Sequence, residues 1–255
     1  MKTTPPRMRM FAGPNGSGKS TIKSVISPEL LGIYINPDEI ERDITKQGFL
    51  DFSTFSIEPR PEEILKYFSN SRLLKKEGLL NLIHQFKSQD NKLFFSDISL
   101  NSYLASVVAD YIRYKLIEDN RSFTFETVMS SPDKIELLRT AQHKGYRTYL
   151  YYVATEDPEI NLSRIRYRVK MGGHDVPKDK VSSRYDRSLD LLIEAIKFSN
   201  RAYIFDNSSQ EHIWIAEITN GKILEIKHTL IPNWFKKALL DKLEGDVTSN
   251  SIVSE

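Results

Sequence analysis

Residues 13–20 read Gly-Pro-Asn-Gly-Ser-Gly-Lys-Ser and satisfy the phosphate-loop pattern G-x-x-x-x-G-K-[ST] without departure. No other stretch constrains the fold as much, because such a loop needs an apolar strand before it and a helix after it. Residues 8–12 supply the strand. Glycines 13, 16 and 18 let successive backbone N–H groups turn toward phosphate oxygens, and the following helix is expected to point its positive end at the same anion. Lys19 has the length to reach the β and γ phosphates. Ser20 offers a hydroxyl to magnesium held with the nucleotide, and Thr21 offers a second one. The nucleotide-binding set is therefore Gly13, Pro14, Asn15, Gly16, Ser17, Gly18, Lys19, Ser20 and Thr21, with ATP and Mg2+ as the implied ligands and Ser20 as the metal ligand.

Five short apolar runs, at 8–12, 33–35, 122–125, 148–153 and 202–205, alternate with helical patterns. That rhythm predicts an α/β fold, a parallel five-stranded sheet covered by helices in three layers, with functional loops at the carboxyl ends of the strands. A chain of 255 residues suits one such domain, here 1–245. Some eighty residues separate the second and third runs, more than a crossover helix uses, so 48–98 is expected to be a helical insertion. Residues 81–86 and 103–117 have helical patterns, the latter with an apolar face of Leu104, Val107, Val108, Tyr111 and Ile112. Asn220-Gly221, between apolar runs at 213–218 and 222–226, predicts a type I′ hairpin. With a helix at 232–243, that hairpin makes up a carboxyl-terminal segment over 212–243, and 246–255 reads as a flexible tail.

The 36 Lys and Arg against 34 Asp and Glu leave a net charge of +2, so no global field points to a nucleic acid or membrane. The absence of cysteine excludes disulfides, thiolate zinc sites and thiol nucleophiles, and suits a reducing compartment. With no signal-like or membrane-spanning run, a cytoplasmic, unprocessed chain without a membrane partner is expected.

Within the phosphate-loop classes, a transporter-type ATPase would carry LSGGQ, and a GTPase would carry N-K-x-D. Neither occurs, and the one Asn-Lys pair, Asn91-Lys92, runs on into Leu93-Phe94. Residues 93–97 resemble a magnesium-orienting strand ending in Asp97, although the run lies in the insertion and Ser96 interrupts it. Asp38 follows the second strand directly. It is the candidate base that takes the acceptor proton, while its D-x-x-E spacing to Glu41 also reads as a helix cap with its capping box. Glu126 ends the third strand and reads either as a group that orients magnesium-bound water or acceptor, or as one partner of a neighbouring Lys or Arg.

Arg164 and Arg168 lie four apart on a predicted helix that stops at Gly172-Gly173, and Arg184 and Arg187 lie three apart on the next. Four guanidinium groups over 164–187 fit a lid that stabilises charge on a migrating phosphoryl group. They also fit solvated helix surface. His174, in the turn between the helices, reads as structural. Asp206-Asn207-Ser208-Ser209 after the fifth strand reads either as a border to the adenine ring or as an ordinary turn.

Together these pieces resemble the zeta toxin family of P-loop kinases, in particular its short chromosomal relatives. The resemblance rests on GPNGSGKST at 13–21, INPDEI at 35–40, SFTFETV at 122–128, GGHDVP at 172–177, RYDRSLDLL at 184–192 and FDNS at 205–208. It implies an adenylate-kinase-like strand order 2-3-1-4-5 and ATP-dependent phosphorylation of a small-molecule acceptor, a UDP-N-acetylamino sugar. A protein antitoxin is the implied partner. Asp38 then matches the family's catalytic Asp, Glu126 its third-strand Glu, Lys19 its loop Lys, and Arg164 or Arg168 its lid Arg. Where the full-length toxins resemble E-G-T-G-R, this chain continues from Glu126 as Thr127-Val128-Met129-Ser130, so the Arg and Thr of that stretch have no counterpart. Two other readings remain. One is a kinase of nucleic-acid ends, for which the chain shows no concentrated basic and aromatic stripe. The other is a non-catalytic ATP-binding module.

Overall fold

Strands form where the apolar runs are, because a strand flanked by helices buries nearly every residue it has. The computed structural model describes residues 4–95, 98, 100–173 and 175–243. Asp97, His174 and the tail at 246–255 lie outside the described residues. In chain order the elements are β1 (Arg7–Ala12), α1 (Lys19–Lys23), α2 (Pro28–Leu31), β2 (Ile33–Ile35), α3 (Pro37–Gln47), β3 (Phe49–Asp51), α4 (Pro61–Ser69), α5 (Arg72–Lys76), β4 (Lys87–Gln89), β5 (Lys92–Phe94), α6 (Ser102–Glu118) and β6 (Phe123–Thr127). There follow α7 (Asp133–His143), β7 (Arg147–Ala154), α8 (Pro158–Lys170), α9 (Lys178–Asp190), α10 (Leu192–Lys197), β8 (Arg201–Asp206), β9 (Ile213–Thr219), β10 (Ile223–Ile226) and α11 (Asn233–Phe235). The five predicted runs are β1, β2, β6, β7 and β8. The residues divide into two compact units, Met1–Leu30 with Thr127–Glu255, and Leu31–Glu126.

In the first unit the strand order is β10-β9-β8-β7-β1. β1, β7 and β8 are parallel, with Met10 opposite Leu150 and Leu150 opposite Ala202. β9 runs antiparallel to β8, and β10 to β9, so the expected hairpin extends the parallel strands and makes the sheet mixed. The hairpin was expected, but its burial explains why it joins the sheet: Ile215 and Ala216 are fully buried and need a neighbouring strand for their backbone. Asn220 and Gly221 have φ 52° and 65°, the pair of positive values a type I′ turn demands.

Met8, Met10, Ala12, Leu150, Tyr152, Ala202 and Ile204 share one fully buried sheet face. Helices cover it: Gln142 of α7 donates to the Thr148 hydroxyl at 3.1 Å, and Ser188 of α9 meets the Tyr152 hydroxyl at 3.1 Å. The other face carries a cross-strand ladder, with Phe11 stacked on Tyr151 at 4.7 Å and Tyr151 on Tyr203 at 5.0 Å. The expected carboxyl-terminal helix begins at Asn233 after the cap Pro232, then widens into a π turn over Lys236–Leu240.

In the second unit β2 and β6 pair in parallel, Ile33 against Phe123 and Ile35 against Phe125. The insertion is not purely helical. It holds α4 and α5, 3-10 turns at Phe52–Phe55 and Leu80–Gln85, and a small antiparallel sheet in the order β3-β5-β4. The helix predicted at 81–86 is thus one of the 3-10 turns. The run at 93–97 begins on β5, which pairs antiparallel on both sides, with β3 and β4. Leu93 is buried between those strands, so this is a sheet centre and not a metal-orienting strand end of a parallel sheet. α6 is capped by Asn101, whose Oδ1 accepts from the Tyr103 and Leu104 N–H groups at 3.0 Å each. Burial on α6 goes beyond the predicted stripe to Ala105, Ala109, Leu116 and Ile117. It also takes in Arg113, which pairs with Asp110 and lies 4.9 Å over the Phe125 ring.

Candidate functional site

In the first unit the phosphate loop leaves β1 and is bent by three glycines, with φ 142° at Gly13, 76° at Gly16 and 96° at Gly18. Side chains are excluded there by space as well as by angle. An added Cβ would lie 2.0 Å from the Val153 carbonyl oxygen at Gly13, 2.6 Å from the Asn161 carbonyl oxygen at Gly16, and 2.0 Å from Asn207 Nδ2 at Gly18. Lys19 Nζ donates to the carbonyls of Gly13 at 2.8 Å and Pro14 at 3.1 Å, which holds the ammonium on the loop. Ser17 N–H closes the bend onto the Pro14 carbonyl at 3.2 Å. α1 has only five residues, so the helix dipole expected to assist is short, and the loop's own N–H groups carry the attraction for an anion.

Two buried amides brace the loop from behind. Asn161 Nδ2, on α8, donates to the Asn15 carbonyl at 2.8 Å, and Asn207 Nδ2, just past β8, donates to the Ser17 carbonyl at 2.8 Å. The Thr155 hydroxyl donates to Asn161 Oδ1, which turns the nitrogen end of that amide toward the loop. Sequence reasoning missed Asn161 and Thr155. The signal for Asn161 is its place on the buried side of α8, whose start is set by the Asp157 cap on Glu159 N–H at 2.7 Å and by Pro158.

An open cleft of about 520 Å³ beside the loop is lined by Gly18, Thr21, Arg164, Asn207, Ser208, Ser209 and Gln210. Arg164 Nη2 donates to the Ser209 carbonyl at 3.1 Å. The two candidate lid arginines are thus separated: Arg164 lines the cleft, whereas Arg168 is exposed and packs its stem against Gly173 at the end of α8. Arg187 of α9 donates to the Ser130 carbonyl at 3.2 Å. Of the Asp206–Ser209 stretch, Asp206 turns away from the cleft, because its buried carboxylate accepts from Trp234 Nε1 at 2.7 Å and from Ser208.

The loop fits a polyphosphate. Ser17 Oγ and Arg164 Nη1 are buried without a hydrogen-bond partner in the structure, both belong to the loop and its cleft, and both can donate to a phosphate oxygen. The exposed Ser20 hydroxyl stands in the first turn of α1. Among the described residues no group of three or more His, Cys, Asp or Glu side chains is placed to hold a metal.

In the second unit the candidate carboxylates sit at the ends of β2 and β6. Asp38 is exposed in the first turn of α3. It is not the cap: Asn36 is, accepting from Asp38 N–H at 3.0 Å with Pro37 at the first helical position, and Asn36 was overlooked because it precedes a proline. The Asp38 carboxylate is thereby released from capping. Glu126 is 7% exposed, and its Oε1 accepts from the Tyr34 hydroxyl at 2.5 Å rather than from a Lys or Arg. Asn36 Nδ2 donates to the same hydroxyl at 3.3 Å. Burial, then the Glu126 charge, drives the Tyr34 hydroxyl well above the ordinary tyrosine range, so it remains a proton donor. Sequence reasoning also missed Tyr34, because its partner lies on another strand.

The zeta toxin family profile matches residues 99–218. An uncharacterized protein of Haemophilus influenzae strain Rd is 38% identical over 175 residues, 69% of this chain and 89% of that protein. Among solved structures the chain is similar to one chain of the AvrRxo1-ORF1:AvrRxo1-ORF2 complex with sulphate ions, at TM-score 0.53 and 14% identity, covering 88% of this chain and 61% of that chain. The same complex with ATP gives TM-score 0.51 and 16% identity over 87% of this chain and 60% of that chain. This chain spans about three fifths of the length of those two, and at such identity the likeness is one of fold.

Proposed function

This chain belongs to the zeta toxin family, and on that premise we propose that it is an ATP-dependent phosphotransferase that moves the γ-phosphate to a hydroxyl of a small molecule, with a UDP-N-acetylamino sugar as the leading acceptor. The observation that carries the proposal is the phosphate loop: three glycines at positive φ, braced behind by two buried amides, with unpartnered buried polar atoms around it. The solved complex with ATP, similar in fold, supports the choice of nucleotide.

Loop N–H groups and Lys19 hold the phosphates, and Arg164 from α8 adds positive charge where charge spreads over the migrating group. Asp38 accepts the acceptor's hydroxyl proton as the new oxygen–phosphorus bond forms and the bond to the ADP oxygen breaks. Glu126, kept in place by Tyr34, orients the acceptor. Ser20 would hold magnesium, which offsets phosphate charge when bound. The order 2-3-1-4-5, a single domain with a lid over 164–187, a cytoplasmic location and an antitoxin-type protein partner belong to the same proposal.

The test is a phosphoryl-transfer screen with labelled ATP against UDP-sugars, nucleosides and oligonucleotide ends, using wild type, Asp38→Asn, Lys19→Ala, Arg164→Ala and Arg168→Ala. A labelled UDP-sugar from wild type, lost in the first three variants and kept in Arg168→Ala, supports it. Labelled oligonucleotide ends would move the acceptor class. Function intact in Asp38→Asn and absent in Lys19→Ala would leave only an ATP-binding module.

A further inference from the structure

We propose that Asn161 and Asn207 are positioning residues that set the peptide planes of the phosphate loop, so that affinity for the polyphosphate depends on the hydrogen bonds these two side chains make to loop carbonyls. The inference rests on the nucleotide-binding reading above and names what enforces it.

In a planar trans peptide the carbonyl of one residue and the N–H of the next point in opposite directions. Asn161 Nδ2 holds the Asn15 carbonyl at 2.8 Å, so the Gly16 N–H must face away from α8. Asn207 Nδ2 holds the Ser17 carbonyl at 2.8 Å, so the Gly18 N–H must face away from the end of β8. Each inner glycine's N–H is thus aimed away from the donor that holds the carbonyl before it. Glycine leaves the loop free to rotate, because it populates positive and negative φ about equally. Without braces the anion itself would have to order those planes on binding, which weakens its affinity.

The braces are themselves fixed. Asn161 is fully buried, and its Oδ1 accepts from Thr155, whose own carbonyl accepts from the Tyr185 hydroxyl at 2.5 Å. Asn207 is 7% exposed, and its backbone N–H donates to the Ala154 carbonyl at 2.9 Å, the last rung beside β8. At Gly18 a Cβ would strike the Asn207 amide itself, so that brace can reach its carbonyl only beside a glycine, whereas at Gly16 a Cβ would strike the Asn161 backbone and push α8 away from the loop.

The experiment compares wild type with Asn161→Leu, Asn207→Leu and the double variant, measuring dissociation constants for Mg-ATP, Mg-ADP and adenosine, with thermal unfolding as a check on folding. Each lost brace is expected to weaken Mg-ATP and Mg-ADP by about tenfold to a hundredfold, the range of a hydrogen bond to a charged ligand, and Asn161→Leu, which lies outside the cleft lining, to leave adenosine within about twofold. Unchanged Mg-ATP affinity in the double variant would overturn the proposal. So would an equal loss for adenosine in Asn161→Leu, which marks a general structural defect. Where a variant does not fold, wild type alone decides: pyrophosphate titrated into 15N-labelled protein should shift the Gly16 and Gly18 amide protons downfield, and no shift there refutes the assignment. Wild type that binds no Mg-ATP while remaining folded would instead remove the nucleotide reading beneath it.

Discussion

Gly18→Ala tests how much of the loop is held by contact rather than by dihedral preference. An alanine at positive φ costs about 1–2 kcal/mol wherever it occurs. Gly145 isolates that cost, because its φ is +80° and a Cβ there meets nothing within 4 Å. At Gly18 the φ is +96° and the Cβ would stand 2.0 Å from Asn207 Nδ2, so Asn207 must withdraw and its bond to the Ser17 carbonyl breaks. The stranded buried carbonyl and amide add about 2–6 kcal/mol, at about 1–3 kcal/mol for each unsatisfied group. For a chain of this size that difference lowers the melting temperature by about 4–24 °C more than Gly145→Ala does. Scanning calorimetry without nucleotide measures it, with Asn207→Ala in both the wild-type and Gly18→Ala backgrounds. In the Gly18→Ala background the second substitution should cost little, since the bond it removes is already gone. Equal melting of Gly18→Ala and Gly145→Ala, or strict additivity with Asn207→Ala, refutes the reasoning.

Tyr34→Phe removes the donor from Glu126 and should lower kcat/KM for the acceptor by about tenfold to a hundredfold with the KM for ATP unchanged. Steady-state kinetics with each substrate varied in turn check this, and a change confined to ATP would count against a role for Glu126 toward the acceptor. Stability should fall at alkaline pH. Burial is the leading cause that raises Tyr34, Tyr111, Tyr152, Tyr185 and Tyr203, and it takes Tyr151 up to about 12. Their folded values lie above the unfolded value of about 10, so the unfolded chain gives up its protons first, and the stability they contribute is present below about pH 10 and lost as pH rises through the folded values. Melting temperatures should hold between about pH 7 and 9 and drop beyond about pH 10, with phenolate absorbance rising at unfolding. A flat profile into that range would contradict the burial of these rings.

Local chemistry was legible from the amino acids alone. Five apolar runs became β1, β2, β6, β7 and β8, because a buried strand writes its burial into consecutive residues. The loop from Gly13 to Thr21 and the Asn220-Gly221 turn were equally plain, since positive φ demands glycine or asparagine at fixed offsets. What lay between strands was not. The hairpin's place on the sheet, the antiparallel setting of β5, Tyr34 beside Glu126, and Asn161 and Asn207 behind the loop are pairings across 146 to 190 residues in the longest cases. A hydrogen bond between distant segments leaves no period in either one. Only the folded chain decided which carbonyl each amide meets, and therefore which way the loop's N–H groups face.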